Sequence, residues 1–276
     1  MTEPWQLQLY RRSIKKKLTM KALLDNLPPV EGKRCLELGC ATGLTSYFLR
    51  QRGGTWTSCD FEQDHVRSTQ RLVGENVVLV PETEVPFPDA SFDVVVAINF
   101  LEHIEDDDRY FREMFRVLAP GGRFFMMAPK GEKGRLGYAV KKVLGFTADQ
   151  EGFGHVRDGY SLADARAILE RHGMTVLGET DYCRFFTECL EDLLNFAYHR
   201  KSVKKKPEGE QDFHGDTAPM SEEALEKVGL SYRIYSAVYP LLRLWTLLDY
   251  LIPFTRGYMT VIWAEKPGIA EATPTP

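Results

Sequence analysis

Arg34-Cys-Leu-Glu-Leu-Gly-Cys-Ala-Thr-Gly-Leu44 is the stretch that decides the fold of this chain. A short apolar run that closes on an acidic residue and then breaks at Gly39 and Gly43 reads as a buried strand stopping at a tight loop. Glycine takes positive φ readily and, lacking Cβ, lets the main chain come close to a ligand. The mixed run from Thr45 to Arg52 starts a helix, so free backbone N–H groups of the loop are expected to point at whatever binds there. That is the pattern of a nucleotide-type site. A dinucleotide fold uses Gly-x-Gly-x-x-Gly, whereas this loop runs Gly39-Cys-Ala-Thr-Gly43. The alternative is a purely structural strand-to-helix turn.

Outward from the loop, Thr55-Trp-Thr-Ser-Cys-Asp60 is a second β-rich segment that ends in a carboxylate. Ligands of open parallel sheets bind beyond the carboxyl ends of the strands, which places Glu37 and Asp60 at one edge. Asp60 also follows the loop at the spacing of a ribose-binding acid; its alternative role is to cap a helix beginning near Gln63. Val77 to Val80 reads as a third, buried parallel strand, Val94 to Ile98 as a fourth and Arg123 to Ala128 as a fifth. Residues from about 4 to 27 have helical periodicity ending near Pro28-Pro29, and their cluster Arg11, Arg12, Lys15, Lys16, Lys17 reads as a solvated face.

Three spaced segments carry a resemblance. Glu37-Leu-Gly-Cys-Ala-Thr-Gly43 resembles the first motif of the class I S-adenosylmethionine-dependent methyltransferases, with Ala41 where many members have a middle glycine. Pro81 to Asp93 resembles the family's run before its fourth strand. Arg116-Val-Leu-Ala-Pro-Gly-Gly122 resembles the turn that feeds its fifth. More weakly, Gly173 to Leu177 and Gly257 to Lys266 resemble its sixth and final strands. The resemblance implies an α/β, Rossmann-like, mostly parallel seven-stranded sheet with helices on both faces, an antiparallel last strand and a helical insertion before it. The corresponding division is an N-terminal helical segment (1–30), a methyltransferase domain (31–181 and 257–267), a helical cap (182–256) and a disordered tail (268–276).

S-adenosylmethionine is the cofactor the resemblance implies, held by Glu37, Gly39, Ala41, Gly43, Asp60, Phe61, Glu82 and Asn99. Within that set Asp60 would take the ribose hydroxyls, Glu82 the adenine amino group, and the loop from Asn99 to His103 would face the sulfonium and substrate. No metal is expected. The implied reaction is methyl transfer to a small-molecule or lipid-like acceptor, with oxygen the favoured atom and His103 and His155 the candidate acid–base residues. Each histidine has an equally weighted structural reading, His103 as a helix-start hydrogen-bonding group and His155, clustered with Arg157, Asp158 and Tyr160 in a glycine-flanked loop, as part of a segment whose Asp158 and Ser161 cap the helix Leu162 to His172. The alternative function is a methyltransferase-like binding or membrane-associated protein without catalysis. A nicotinamide-dependent oxidoreductase is opposed by the missing Gly-x-Gly-x-x-Gly.

Composition narrows the partners. A net charge of −4 with 27% charged residues is opposed to nucleic-acid binding, which leaves a basic footprint. Five cysteines without Cys-x-x-Cys spacing suggest neither a disulfide framework nor a zinc site. The first residues lack the apolar core of a signal peptide, so the expected location is the cytoplasm. The apolar segment from about Leu225 to Leu251 is interrupted by Arg233, Arg243 and Asp249. It reads as a buried or substrate-covering helix, or else as an interfacial helix at a membrane surface (225–252) aided by the Lys201 to Lys206 cluster.

Overall fold

The computed structural model describes residues 3–130, 156, 157, 159–202, 225 and 229–268. The chain opens with α1 (Trp5–Arg12) and α2 (Ile14–Asn26), broken at Ser13, whose Oγ accepts the Lys16 N–H and caps the second helix. Strands and helices then alternate: β1 (Arg34–Leu38), α3 (Leu44–Arg50), β2 (Thr55–Asp60), α4 (Gln63–Val73) and β3 (Val77–Leu79). They continue with β4 (Phe92–Ile98), α5 (Asp107–Val117), β5 (Leu118–Pro129), α6 (Leu162–Arg171) and β6 (Thr175–Tyr182). Between β6 and the final strand β7 (Met259–Glu265) lie α7 (Phe185–Ser202), α8 (Gly229–Thr246) and a 3-10 turn (Leu247–Leu251).

One seven-stranded sheet results, in the order β3-β2-β1-β4-β5-β7-β6. All pairings from β3 to β5 are parallel, and β7 runs antiparallel to both β5 and β6. The strand order reverses direction between β1 and β4, so the crevice outside their carboxyl ends is where such a sheet binds ligands. Period-two alternation sends the strands' apolar side chains to two cores. Leu36, Leu38, Val95, Ala97, Phe124 and Met126 pack with α5 and α6 on one face, and Cys35, Val94, Val96, Phe125 and Met127 pack with α2 and α3 on the other.

Two expectations require correction. The Val77–Val80 run is not a buried strand but the sheet's edge: Leu79 is 46% exposed, because only β2 pairs with it. The basic cluster of α1 and α2 is not simply a solvated face. Lys17 Nζ donates to Tyr239 Oη at 3.0 Å and lies 5.1 Å from that ring, Arg12 stacks over the same ring, and Lys15 lies over Tyr258. Lys204 to Lys206, most of the predicted tail and His155 lie outside the described residues.

The two inserted helices are joined at their base by Asp249. Its buried carboxylate accepts the N–H groups of Phe186 (2.7 Å) and Thr187 (3.2 Å) and the Thr187 hydroxyl (2.6 Å), which satisfies the open first turn of α7. Asp249→Ala is expected to lower unfolding free energy by about 2–3 kcal/mol in urea titrations. A change within the ~0.5 kcal/mol typical of surface substitutions would show that Asp249 does not hold the insertion together.

Candidate active site

The glycine loop is held from three sides. Gly39 N–H and Cys40 N–H both donate to Cys59 O (2.9 and 3.1 Å), Gly43 N–H to Cys40 O (2.9 Å), and Ala41 N–H to Asp60 Oδ2 (2.9 Å). The expectation of free loop N–H groups aimed at a ligand is therefore corrected for these four: the parallel neighbour β2 already takes three of them and the turn itself the fourth. The loop's carbonyls are also engaged. Thr69 Oγ1 donates to Ala41 O at 3.1 Å, and Gln6 Nε2 from α1 donates to Thr42 O at 3.2 Å. Gly43 has φ +89°, and a Cβ there would meet Thr69 Cα at 2.9 Å, so glycine is needed for both conformation and space. Gly39 has the same double requirement, against the Phe100 ring.

Asp60 closes β2 at the same edge and is 3% exposed. Besides Ala41 N–H it accepts Glu62 N–H at 3.0 Å, and His65 Nδ1 lies 3.2 Å from its Oδ1. Burial alone would raise its pKa, but the hydrogen bond and charge of His65 and the two backbone donors hold the carboxyl below its ordinary range. Burial likewise opposes the charge on His65, yet Asp60, with Glu62 and Asp64 nearby, raises the imidazole above its ordinary value. The helix-cap alternative for Asp60 is not what the structure shows, since the N-cap position of α4 is Glu62 and its side chain makes no capping bond.

The remaining predicted residues fall around this edge. Phe61 is half-buried and 6.0 Å from Phe100 between ring centres. Glu82 is exposed after β3, and its carbonyl accepts the Tyr110 hydroxyl at 2.5 Å. Asn99 follows β4 with φ +50°, and its buried Oδ1 has no hydrogen-bond partner among the described residues. His103 ends the 3-10 turn Leu101–His103 and is half-buried. That turn is braced from behind: Val156 N–H donates to Glu102 O at 3.1 Å, and Arg157 donates to Asp107 Oδ2 at 2.5 Å and to Ile104 O at 2.6 Å. Tyr160 Oη adds a bond to the same Asp107 oxygen at 2.7 Å. Of the cluster read around His155, Arg157 and Tyr160 thus serve to hold the loop after β4.

Glu37 stands apart from the other predicted residues, beneath the loop and 1% exposed. Its Oε2 accepts both Ser46 Oγ (2.5 Å) and Ser58 Oγ (2.6 Å), and Arg50 donates in turn to Ser58 Oγ at 2.9 Å. Gln6, Ser46, Ser58, Arg50 and His65 were not among the predicted site residues. The two serines and the arginine carried one signal, as polar positions inside otherwise apolar segments; nothing local marked Gln6.

Burial pushes the Glu37 carboxyl up to about 7 from 4.5, outweighing the two hydroxyl donors and Arg50. A carboxyl whose pKa is raised by folding leaves the folded state holding the extra proton between those values, so stability falls as pH rises through that window. Thermal and urea unfolding should show a decline of about 3 kcal/mol between pH 4.5 and 7 that is absent in Glu37→Gln. Parallel pH profiles for the two proteins would rule the assignment out.

Residues 36–126 match the family model described as a methyltransferase domain. A fatty-acid O-methyltransferase of Mycolicibacterium smegmatis is 35% identical over 100 residues, 34% of this chain and 36% of that protein. The ubiquinone/menaquinone biosynthesis C-methyltransferase of Vibrio parahaemolyticus is 36% identical over 169 residues, 58% of each chain. Matches to the curated relatives thus span between about a third and three fifths of those proteins' lengths. Among solved structures, phosphoethanolamine N-methyltransferase 2 of Haemonchus contortus in complex with S-adenosyl-L-methionine superposes with a TM-score of 0.55 at 18% identity, covering 91% of this chain and 52% of that one. The glycine loop, the strand order and the matched segment agree: residues 36–126 carry a methyltransferase domain, and the sheet is that of the class I S-adenosylmethionine-dependent methyltransferase fold.

Proposed function

We propose that this chain transfers the methyl group of S-adenosylmethionine to an oxygen of a small apolar or amphiphilic acceptor. The observation that carries the reading is the junction of loop and carboxylate: Ala41 N–H on Asp60 Oδ2 brings both nucleotide-binding elements to one edge of the sheet. The residues present fit the cofactor. Both Asp60 oxygens retain acceptor capacity for ribose hydroxyls, Phe61 offers a half-buried ring face, Asn99 Oδ1, unpartnered among the described residues, calls for a donor, and Gly39 and Gly43 leave the two ends of the loop without side chains. S-adenosylmethionine supplies, when bound, a methyl group already activated on a sulfonium.

What the chain itself contributes is positioning and a base. Fixing two reactants in line accounts for the larger part of such an acceleration, and the loop's seven hydrogen bonds to β2, α1, α4 and itself give it that rigidity. His103, on the turn after β4, is assigned to take the proton of an acceptor hydroxyl. His155 is the second candidate. The inserted helices start at the end of β6, on the same sheet edge, and bring Tyr182, Phe185 and Phe186 there, which suits an apolar acceptor. Relatives named for fatty-acid O-methylation and for quinone C-methylation support an apolar acceptor, and the first supports oxygen.

Calorimetric titration of S-adenosylmethionine into wild type and Asp60→Asn tests the site. Loss of charge-assisted bonds worth about 1.5–3 kcal/mol predicts a Kd raised by roughly ten- to a hundredfold, and equal affinities would remove Asp60 from the ribose site. With cofactor saturating and a hydroxyl-bearing fatty or quinone acceptor, His103→Ala should lower kcat by about 10²-fold or more and abolish the acidic limb of its pH profile, with cofactor affinity unchanged. If only His155→Ala has that effect, the base lies there. If neither does, the acceptor needs no histidine.

A further inference from the structure

The inserted helices present two apolar stripes, and α2 covers one of them. Tyr235, Tyr239 and Leu242 on α8 pack with Ile14 and Leu18 of α2 and Leu190 and Leu194 of α7. A second stripe at helical spacing, Ile234, Leu241 and Leu244, faces outward and continues through the 3-10 turn to Tyr250, Leu251 and Phe254, with Leu251 73% and Phe254 80% exposed. Trp245 spends its indole N–H on Phe186 O at 3.0 Å and leaves part of its ring at the surface beside them. Patches of this kind mark interaction sites.

The charges around the patch say what covers it. Four charged residues fall between 229 and 257: Arg233, Arg243 and Arg256 are exposed, while Asp249, the one acid, is buried in its bonds to α7. On α2, Lys21 and Asp25 pair with each other and Lys17 is held by Tyr239. A second copy laid against this face by a two-fold axis would bring guanidinium groups toward guanidinium groups. No helix among the described residues is long and apolar enough to cross a membrane. An exposed row of leucines and aromatics in which the solvent-facing charges of residues 229–257 are all cations has the composition of a helix lying in an anionic lipid interface.

We infer that the outer face of α8, with the turn to Phe254, docks the protein on the surface of an anionic lipid bilayer. Leu241, Leu251 and Phe254 enter the acyl boundary while the three arginines meet headgroup phosphates and carboxylates. The inference stands on binding alone and is independent of methyl transfer.

Flotation of the full chain with phosphatidylcholine vesicles, with and without phosphatidylserine, tests it. Wild type should float with the mixed vesicles and much less with phosphatidylcholine alone, and added salt should release it. Replacing Leu241, Leu251 and Phe254 together by serine should abolish flotation. Arg243→Glu with Arg256→Glu should weaken partitioning by roughly fivefold per guanidinium lost. All variants should keep the wild-type circular dichroism, unfolding midpoint and affinity for S-adenosylmethionine, since the altered side chains are exposed. Absence of wild-type flotation on mixed vesicles at low salt would overturn the inference. So would a stable dimer in sedimentation velocity that the triple serine variant converts to monomer, because a second copy would then own the face.

Discussion

Asp60 accepts an N–H from the glycine loop with one carboxylate oxygen and an N–H from its own following turn with the other, while His65 supports it from α4. Parallel pairing of β1 with β2 is what makes the geometry available, because only strands running the same way end at the same edge. Without that carboxylate, the N–H of Ala41, at φ +46°, would lose the acceptor that holds it. The loop's shape, the entry to α3 and the position of every group around the crevice follow from this junction. An ionised Asp60 is required for it, and His65 beside it makes ionisation favourable in a buried place.

A second carboxylate works in the opposite sense. Glu37 lies beneath the same loop, but burial dominates its environment and the proton is retained far above the usual carboxyl range. Two acids twenty-three residues apart in sequence therefore have carboxyl groups shifted in opposite directions, one held as an anion open to hydroxyl donors and one as a largely desolvated brace. The difference comes from their neighbours: backbone donors and a histidine for Asp60, two serine hydroxyls on one oxygen for Glu37.

Much of the fold was legible because its signals are local. Two glycines at fixed spacing, continuous apolar runs at Val94 to Ile98 and Arg123 to Ala128, and Pro120-Gly-Gly122 each encode a strand or a turn within a few residues. The parts that were not legible depend on distant partners. Val78 and Leu79 look like core until β3 is seen to pair with β2 alone among the described strands, and Lys15 and Lys17 look solvated until Tyr258 and Tyr239 are placed over them. Gln6 reaches a loop carbonyl 36 residues away, and no pattern in α1 announces it. At the site, Asp60 and the loop were readable from spacing, whereas His65 could be recognised only once a helix had turned it back toward the strand end.

The contact between Lys17 and Tyr239 joins positions 222 residues apart, and Tyr232 reaches back to the Gln8 carbonyl across a similar span. At translation rates of about 5–20 residues per second, the N-terminal helices wait roughly ten to forty-five seconds for the partner that covers Ile14 and Leu18. During that interval the sheet's parallel core is already emerging, so a segment made before the sheet is packed after it. Its basic side chains then have a use before the native contacts form: they keep a bare apolar stripe in solution on a nascent chain.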